Sequence, residues 1–98
     1  MEENSEHIVY ILECKDNTFY TGYTNDLARR LRMHANGKGA KYTRGRGPFQ
    51  LVYQQKYITK QEAMKEEYQI KKLSRKEKVA LIEQYEERQD VHANSKQL

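Results

Sequence analysis

An α+β fold with elements in the order β-β-α-β-α-α is predicted for this 98-residue chain by three observations. Two short runs rich in β-branched and aromatic residues flank a cluster of turn residues, apolar residues recur at helical spacing after Asp26, and two capping boxes follow the third apolar run. A chain of this length makes one domain, burying roughly two-thirds of the surface its unfolded form would expose. Large multilayer enzymes, dinucleotide-binding folds and barrels are excluded. The longest apolar run, Ile8-Val9-Tyr10-Ile11-Leu12, is far short of the ~18–20 residues of a membrane span, so no membrane partner is expected. Met1 to His7 is acidic and polar, without the pattern of a secretory signal, and the lone Cys14 suits a reducing compartment, so a cytoplasmic location is expected.

His7 to Cys14 and Thr18 to Thr24 read as two strands of a hairpin, with Lys15-Asp16-Asn17 as the turn. A three-residue loop sets Cys14 opposite Thr18 and Leu12 opposite Tyr20, which makes Tyr10 and Tyr20 diagonal neighbours on one face. Asn25 or Thr24 caps a helix running to about Ala35 and ended by Asn36-Gly37. Its apolar stripe is Leu27, Ala28, Leu31 and Ala35; Arg30 and His34 share one flank of it, and Arg29 and Arg32 point away. Residues 36–48 hold four of the five glycines and the single proline, forming a basic loop around Tyr42 that reads equally as a phosphate-approaching turn or a flexible connector. Phe49 to Tyr57 is the third strand. The boxes Thr59-x-x-Glu62 and Ser74-x-x-Glu77 start helices at about 60–73 and 75–87. From about Glu87 the sequence is polar and aperiodic, and 88–98 reads as a disordered tail.

The net charge of +4 conceals a segregation. Residues 1–26 carry six acids and one base, residues 27–61 nine bases and no acid, and residues 62–98 eight of each. A one-signed stretch of this length is the footprint of a polyanion site, the alternative being a basic face paired in space with the acidic N-terminal segment. Nucleic acid is therefore the expected partner, contacted by Arg29, Arg32, Lys38, Lys41, Tyr42, Arg44 and Arg46.

The three histidines and one cysteine have no zinc-site spacing, and no nucleophile elbow is present. Hydrolytic chemistry would then fall to carboxylates, tyrosines, arginine and a hard metal. On the second helix Glu66 and Glu67 sit on or beside the stripe of Ala63, Ile70 and Leu73. A carboxylate there is costly unless it is paired or binds a cation. Periodicity does not choose between them.

Val9-Tyr10, Tyr20-Thr21-Gly22, Asn25-Asp26-Leu27-x-x-Arg30-x-x-x-His34 and Glu67-x-x-Ile70-Lys71, in this order over residues 7 to about 82, resemble the GIY-YIG nuclease superfamily, most of all its small stand-alone bacterial members. Two motif positions depart from it: Ile8-Val9-Tyr10 stands for Gly-Ile-Tyr and Tyr20-Thr21-Gly22 for Tyr-Ile-Gly. The asparagine that larger members carry beyond the metal-binding Glu has no counterpart between Asn36 and Asn94. The resemblance implies a domain over 5–83 with a three-stranded antiparallel sheet flanked by helices. It also implies a phosphodiester-cleaving site on one sheet face. In it Tyr10, Tyr20, Arg30 and His34 would be catalytic, Gly22 the structural glycine, and Glu67 the ligand of Mg²⁺ or Mn²⁺.

On this reading the protein is a monomeric, divalent-metal-dependent endonuclease acting on DNA rather than RNA, with structured or damaged DNA as a candidate substrate. Mg²⁺ accepts one or two carboxylates while keeping several waters, and Arg30 offers a forked donor to the phosphate. Water would be activated by Tyr10 or Tyr20, although a phenol of pKa ~10 costs roughly 4 kcal/mol to ionise at pH 7. The alternatives are a non-catalytic nucleic-acid-binding module using the basic 27–61 surface, and a scaffold binding an acidic protein.

Overall fold

The structure is a computed structural model that describes residues 6–97, with side chains to Gln89. Three strands, β1 (His7–Glu13), β2 (Phe19–Thr24) and β3 (Gln50–Tyr57), form an antiparallel sheet in the order β2-β1-β3. Helix α1 (Leu27–Ala35) and a turn of 3₁₀ helix (Lys41–Thr43) separate β2 from β3, and α2 (Lys60–Lys71) and α3 (Arg75–Gln97) follow. Among the described residues no helix is long and apolar enough to cross a membrane.

Turn chemistry fixes the hairpin. Cys14 N donates to Thr18 O at 2.8 Å and Asn17 N to Cys14 O at 2.9 Å, closing a three-residue loop. Asn17 takes a left-handed φ of 67°, which the third position of such a loop requires and asparagine tolerates. Asp16 Oδ1 also accepts from Thr18 Oγ1 at 2.6 Å. The resulting register pairs Tyr10 with Gly22 and Leu12 with Tyr20, as the loop length predicts.

The sheet buries both faces. Val9 and Ile11 point to one side and join Val52, Tyr53, Ala63, Ile70 and Ile82 in the apolar core beneath α2 and α3. A bulge in β3 lies between the pairs Ile11–Tyr53 and Leu12–Leu51. It leaves Val52 unpaired, so Val52 and its neighbour Tyr53 both reach that core. Tyr10 and Leu12, fully buried, point to the opposite side, towards α1 and the 36–49 loop.

The helix starts follow the capping boxes. Thr59 Oγ1 accepts from Glu62 N at 3.1 Å, and Ser74 and Glu77 bond reciprocally at 2.9 and 3.2 Å. Helix α1 departs from expectation at its cap. Asp26, not Asn25 or Thr24, caps it by accepting from Arg29 N at 3.2 Å. Thr24 instead accepts from Asp26 N at 3.0 Å and holds the capping residue in place. A carboxylate also opposes the positive end of the helix dipole, which a neutral side chain does not.

The expected α1 stripe is shifted too. Ala28 and Ala35 are exposed, Leu27 and Leu31 half-buried, and His34 is the buried residue of the helix. A methyl-sized side chain reaches too little apolar surface to set a helix's rotation, whereas the His34 ring is held by partners on two sides. The helical backbone of α3 continues to Gln97, past the expected end near 87; the side chains over most of the expected 88–98 tail lie outside the described residues.

Two substitutions separate packing from polarity in this core. Ile70→Ala, at a 2% exposed site, is expected to cost about 2–5 kcal/mol in urea unfolding. Thr21 Oγ1 is buried and has no hydrogen-bond partner among the described residues. Thr21→Val, which removes the orphaned hydroxyl at constant shape, is expected to be neutral or stabilising in the same measurement.

Candidate active site

Four elements meet on the α1 face of the sheet. The Tyr10 and Tyr20 rings lie 6.2 Å apart, as their register dictates, and His34 faces both, at 5.8 and 5.3 Å. Their closeness depends on Gly22: a Cβ there would fall 2.7 Å from the Tyr10 hydroxyl and 2.8 Å from the Tyr20 ring. Gly39 plays the same part beneath His34, where a Cβ would collide with the imidazole ring.

A buried chain of hydrogen bonds runs through the site. The Tyr10 hydroxyl lies 2.8 Å from His34 Nε2, and His34 Nδ1 lies 2.9 Å from Thr43 Oγ1. Thr43 Oγ1 in turn donates to Ala40 O at 2.8 Å. A hydroxyl has one proton, and Thr43 gives its own to the Ala40 carbonyl, so it accepts from His34. The proton of neutral His34 is therefore on Nδ1, and Nε2 is a bare acceptor that receives the Tyr10 O–H. Burial, with the Arg30 charge next in effect, lowers the His34 pKa and keeps the ring neutral.

Arg30 is half-buried beside the two tyrosines, and its interaction with the Tyr10 hydroxyl raises its already high pKa, with Tyr20 adding. Burial pushes Tyr10 up to about 12 despite Arg30, and the charges of Tyr20 and Glu67 push in the same direction. At that value ionising Tyr10 at pH 7 costs roughly 7 kcal/mol, well above the cost for an unperturbed phenol. A preformed phenolate is thereby excluded as a resting state.

The two glutamates of α2 are distinguished by what they face. The Glu66 charge acts on Tyr53 and Tyr57, which burial also raises. The Glu67 charge acts on Tyr10. The Glu67 side chain is only 12% exposed, with Oε2 3.1 Å from Lys71 Nζ one turn along the helix. Adjacent positions on a helix point about 100° apart, and that rotation sends Glu67, not Glu66, towards Tyr10.

The loop over 36–49 is anchored, not a free connector. Lys15 N donates to Arg46 O at 2.8 Å, and Arg46 Nε to Tyr42 O at 2.7 Å. The Arg46 guanidinium covers the Tyr42 ring at 4.4 Å and forms an ion pair with Asp16. Tyr42 stacks on Tyr20 with ring centroids 6.1 Å apart. Acidic partners for the basic block thus come from the N-terminal segment, at Arg46–Asp16 and Lys56–Glu6. Arg29, Arg32, Lys38, Lys41 and Arg44 are exposed. Arg29 and Arg30 share a shallow polar depression with Asp26 and Lys60.

Matched against protein families, residues 6–80 correspond to the GIY-YIG catalytic domain. This chain belongs to the GIY-YIG family. It is 62% identical over 80 residues to the UPF0213 protein OB0043 of Oceanobacillus iheyensis, covering 82% of this chain and 93% of that one. It is 50% identical over 82 residues to the UPF0213 protein YazA of Bacillus subtilis, covering 84% and 83%. Among solved structures, the solution structure of the UPF0213 protein BH0048 from Bacillus halodurans is 59% identical, with a TM-score of 0.55, and covers 80% of this chain and 83% of its own. That of EF2693 from E. faecalis is 41% identical, with a TM-score of 0.61, and covers 88% and 92%. GIY-YIG domains are nuclease domains, and the β-β-α-β-α-α order with its antiparallel sheet is the GIY-YIG architecture.

Thr43 and Gly39 are site residues that sequence reasoning missed. Both lie in a segment whose composition signals only turns, and their partner is His34, on a different element. The usable signal was the helix: a histidine at the centre of its buried face needs a partner for each ring nitrogen.

The tautomer is directly measurable. In ¹⁵N spectra His34 is expected to carry its proton on Nδ1, and Thr43→Val to remove that preference. Because the folded pKa of His34 lies below its ordinary value, the unfolded chain binds the proton first as pH falls through about 6.5. Fold stability should therefore drop below that pH in the parent protein, and drop less in His34→Gln, in urea titrations between pH 5 and 8.

Proposed function

We propose that this GIY-YIG chain is a divalent-metal-dependent endonuclease that hydrolyses phosphodiester bonds in DNA. One observation carries the reading: the buried Tyr10 hydroxyl sits between a bare imidazole nitrogen, 2.8 Å away at His34 Nε2, and the Arg30 guanidinium. A phenol with an acceptor for its proton and a cation for its developing charge is arranged to act as a base without ionising first. As water attacks phosphorus, its proton passes to the Tyr10 oxygen while the Tyr10 proton moves to His34 Nε2. This concerted transfer replaces a phenolate by an imidazolium whose Nδ1–H is already bonded to Thr43. Arg30 presents donors to the charge that grows on the transferring phosphate. Tyr20, half-buried between His34 and Tyr42, holds the aromatic wall of the site.

The donor set fits a hard cation. Glu67 is a single, nearly buried carboxylate whose charge is felt at the Tyr10 phenol, which suits an ion that keeps most of its water. Among the described residues no group of three or more His, Cys, Asp or Glu is placed to hold a metal ion, so Glu67 would be the protein's single carboxylate ligand. Glu67 would hold Mg²⁺ or Mn²⁺, which when bound polarises the phosphoryl group and stabilises the leaving oxygen. The ion would take the place of Lys71, whose 53% exposed side chain has solvent to turn into.

The exposed basic residues of α1 and the loop, Arg29, Arg32, Lys38, Lys41 and Arg44, supply the backbone contacts for such a substrate.

The decisive measurement is cleavage of single-stranded, duplex, flap and junction DNA with Mg²⁺ or Mn²⁺. Glu67→Ala is expected to abolish it, Arg30→Ala to lower kcat by about 10²–10³, and Tyr10→Phe by about 10²–10⁴. The rate should fall as pH drops through the His34 pKa, because the protonated ring cannot accept the Tyr10 proton. Absence of cleavage, or equal cleavage by the variants, overturns the enzyme. Salt-dependent binding without cleavage would leave the non-catalytic module standing.

A further inference from the structure

Beside His34, with neither Tyr10 nor Tyr20 in its lining, lies a half-open cavity of about 640 Å³. Its walls are largely apolar: Leu12, Leu31, Pro48, Phe49 and Leu51, with His34 and Thr43 forming the wall shared with the active site. Protein interiors are close-packed, and apolar cavities a quarter of this size accept aromatic guests. The volume falls within the range of small-ligand sites. Neither the core nor the proton relay uses this space, since Tyr10 and Thr43 reach His34 along its edge nitrogens.

The rim specifies the guest. Gly37 and Gly45 of the loop line the cavity, and each has a base next to it in the chain: Lys38 follows Gly37, and Arg44 precedes Gly45. Both bases are exposed. No carboxylate lines the cavity, and the whole of 27–61, from which most of its wall is built, is free of acids. The matching guest has a flat apolar body carried on an anionic chain. Phe49, whose ring meets the His34 edge at 5.9 Å, provides an aromatic wall for that body. The same imidazole borders both the cavity and the Tyr10 hydroxyl, so a guest here lies next to the Tyr10–His34 pair.

We infer that this cavity is a nucleobase pocket, receiving one unstacked base of the nucleic acid whose phosphates meet the exposed bases of the same loop, Lys38 and Arg44. The inference rests on the nucleic-acid reading above and adds to it a requirement for an unpaired base next to the cleaved bond. Insertion buries the base against Phe49 and the leucines, an interaction every base can make, so the pocket selects unstacked nucleotides over paired ones without reading sequence.

The test uses the whole chain, without divalent metal, and two probes of equal charge: a short single-stranded oligothymidylate and the same phosphodiester chain with its bases removed. The salt dependence of binding should be the same for both, since the phosphates are the same. The oligothymidylate should bind about tenfold more tightly and shift the methyl resonances of Leu31 and Leu51, and the abasic chain should not shift them. Ala35 is exposed and lines the cavity, so Ala35→Phe should plug it and erase the difference in affinity. Equal affinity for the two probes, or a preference that survives Ala35→Phe with the leucine methyls unmoved, overturns the pocket and leaves the nuclease reading intact. Failure of both probes to bind at any salt overturns that reading, and the pocket with it.

Discussion

The Tyr10–His34–Thr43 hydrogen-bond chain is the constraint on which the α1 face depends. It joins a central strand, a helix and a loop that have little else in common, and every member is at most 1% exposed. Three polar side chains in an apolar interior are tolerated only while each donor and acceptor is used, because a buried orphan costs about 1–3 kcal/mol. Satisfaction is complete here: Thr43 donates to Ala40, His34 donates to Thr43, and Tyr10 donates to His34. The two glycines follow from the chain. Gly22 leaves room for the end of the Tyr10 ring, and Gly39 lets the loop close on the imidazole.

A polar face of this kind contributes little net stability, so the opposite face of the sheet has to supply it. Val9, Ile11, Val52, Tyr53, Ala63, Ile70 and Ile82 form that apolar counterpart. Burying each large aliphatic side chain contributes about 1.5–3 kcal/mol. The bulge in β3 helps by turning two successive residues, Val52 and Tyr53, to the core side. Helix α2 serves both purposes. Ala63 and Ile70 pack beneath the sheet, while Glu67 carries a charge to the tyrosines. The apolar core and the buried polar chain are thus kept on separate faces of one three-stranded sheet, with β1 contributing alternate residues to each.

What was legible in the sequence follows from how local its cause is. The Tyr10–Tyr20 pairing was legible because a three-residue turn sets the register by itself, and Asn17 is the residue for its left-handed position. Both capping boxes were legible because their partners lie three residues apart. The rotation of α1 was not, since it is set by His34 meeting Tyr10 and Thr43 across the fold, while the alanines counted in its stripe exert little pull. Choosing between Glu66 and Glu67 was not legible from periodicity either. Both flank the stripe, and only the placement of Tyr10 against Tyr53 and Tyr57 separates them. Charge was half legible. Segregation along the chain was plain, yet Arg46 and Lys56 find Asp16 and Glu6 in space, so the basic block is partly neutralised at those two points.

That partial neutralisation sharpens the electrostatic argument. The paired bases are those that brace structure, Arg46 holding the loop to the hairpin turn and Lys56 meeting the chain before β1. The exposed bases Arg29, Arg32, Lys38, Lys41 and Arg44 lie on α1 and the loop, the two elements that also carry Arg30, His34 and Thr43. A polyanion drawn to this surface is therefore delivered to the face that holds the relay, not to the apolar core side. Burial and, after it, the charge of Arg30 oppose protonation of His34 and keep Nε2 an acceptor. Helix α1 thus carries its exposed bases on the outside and, inside, a histidine that burial keeps neutral.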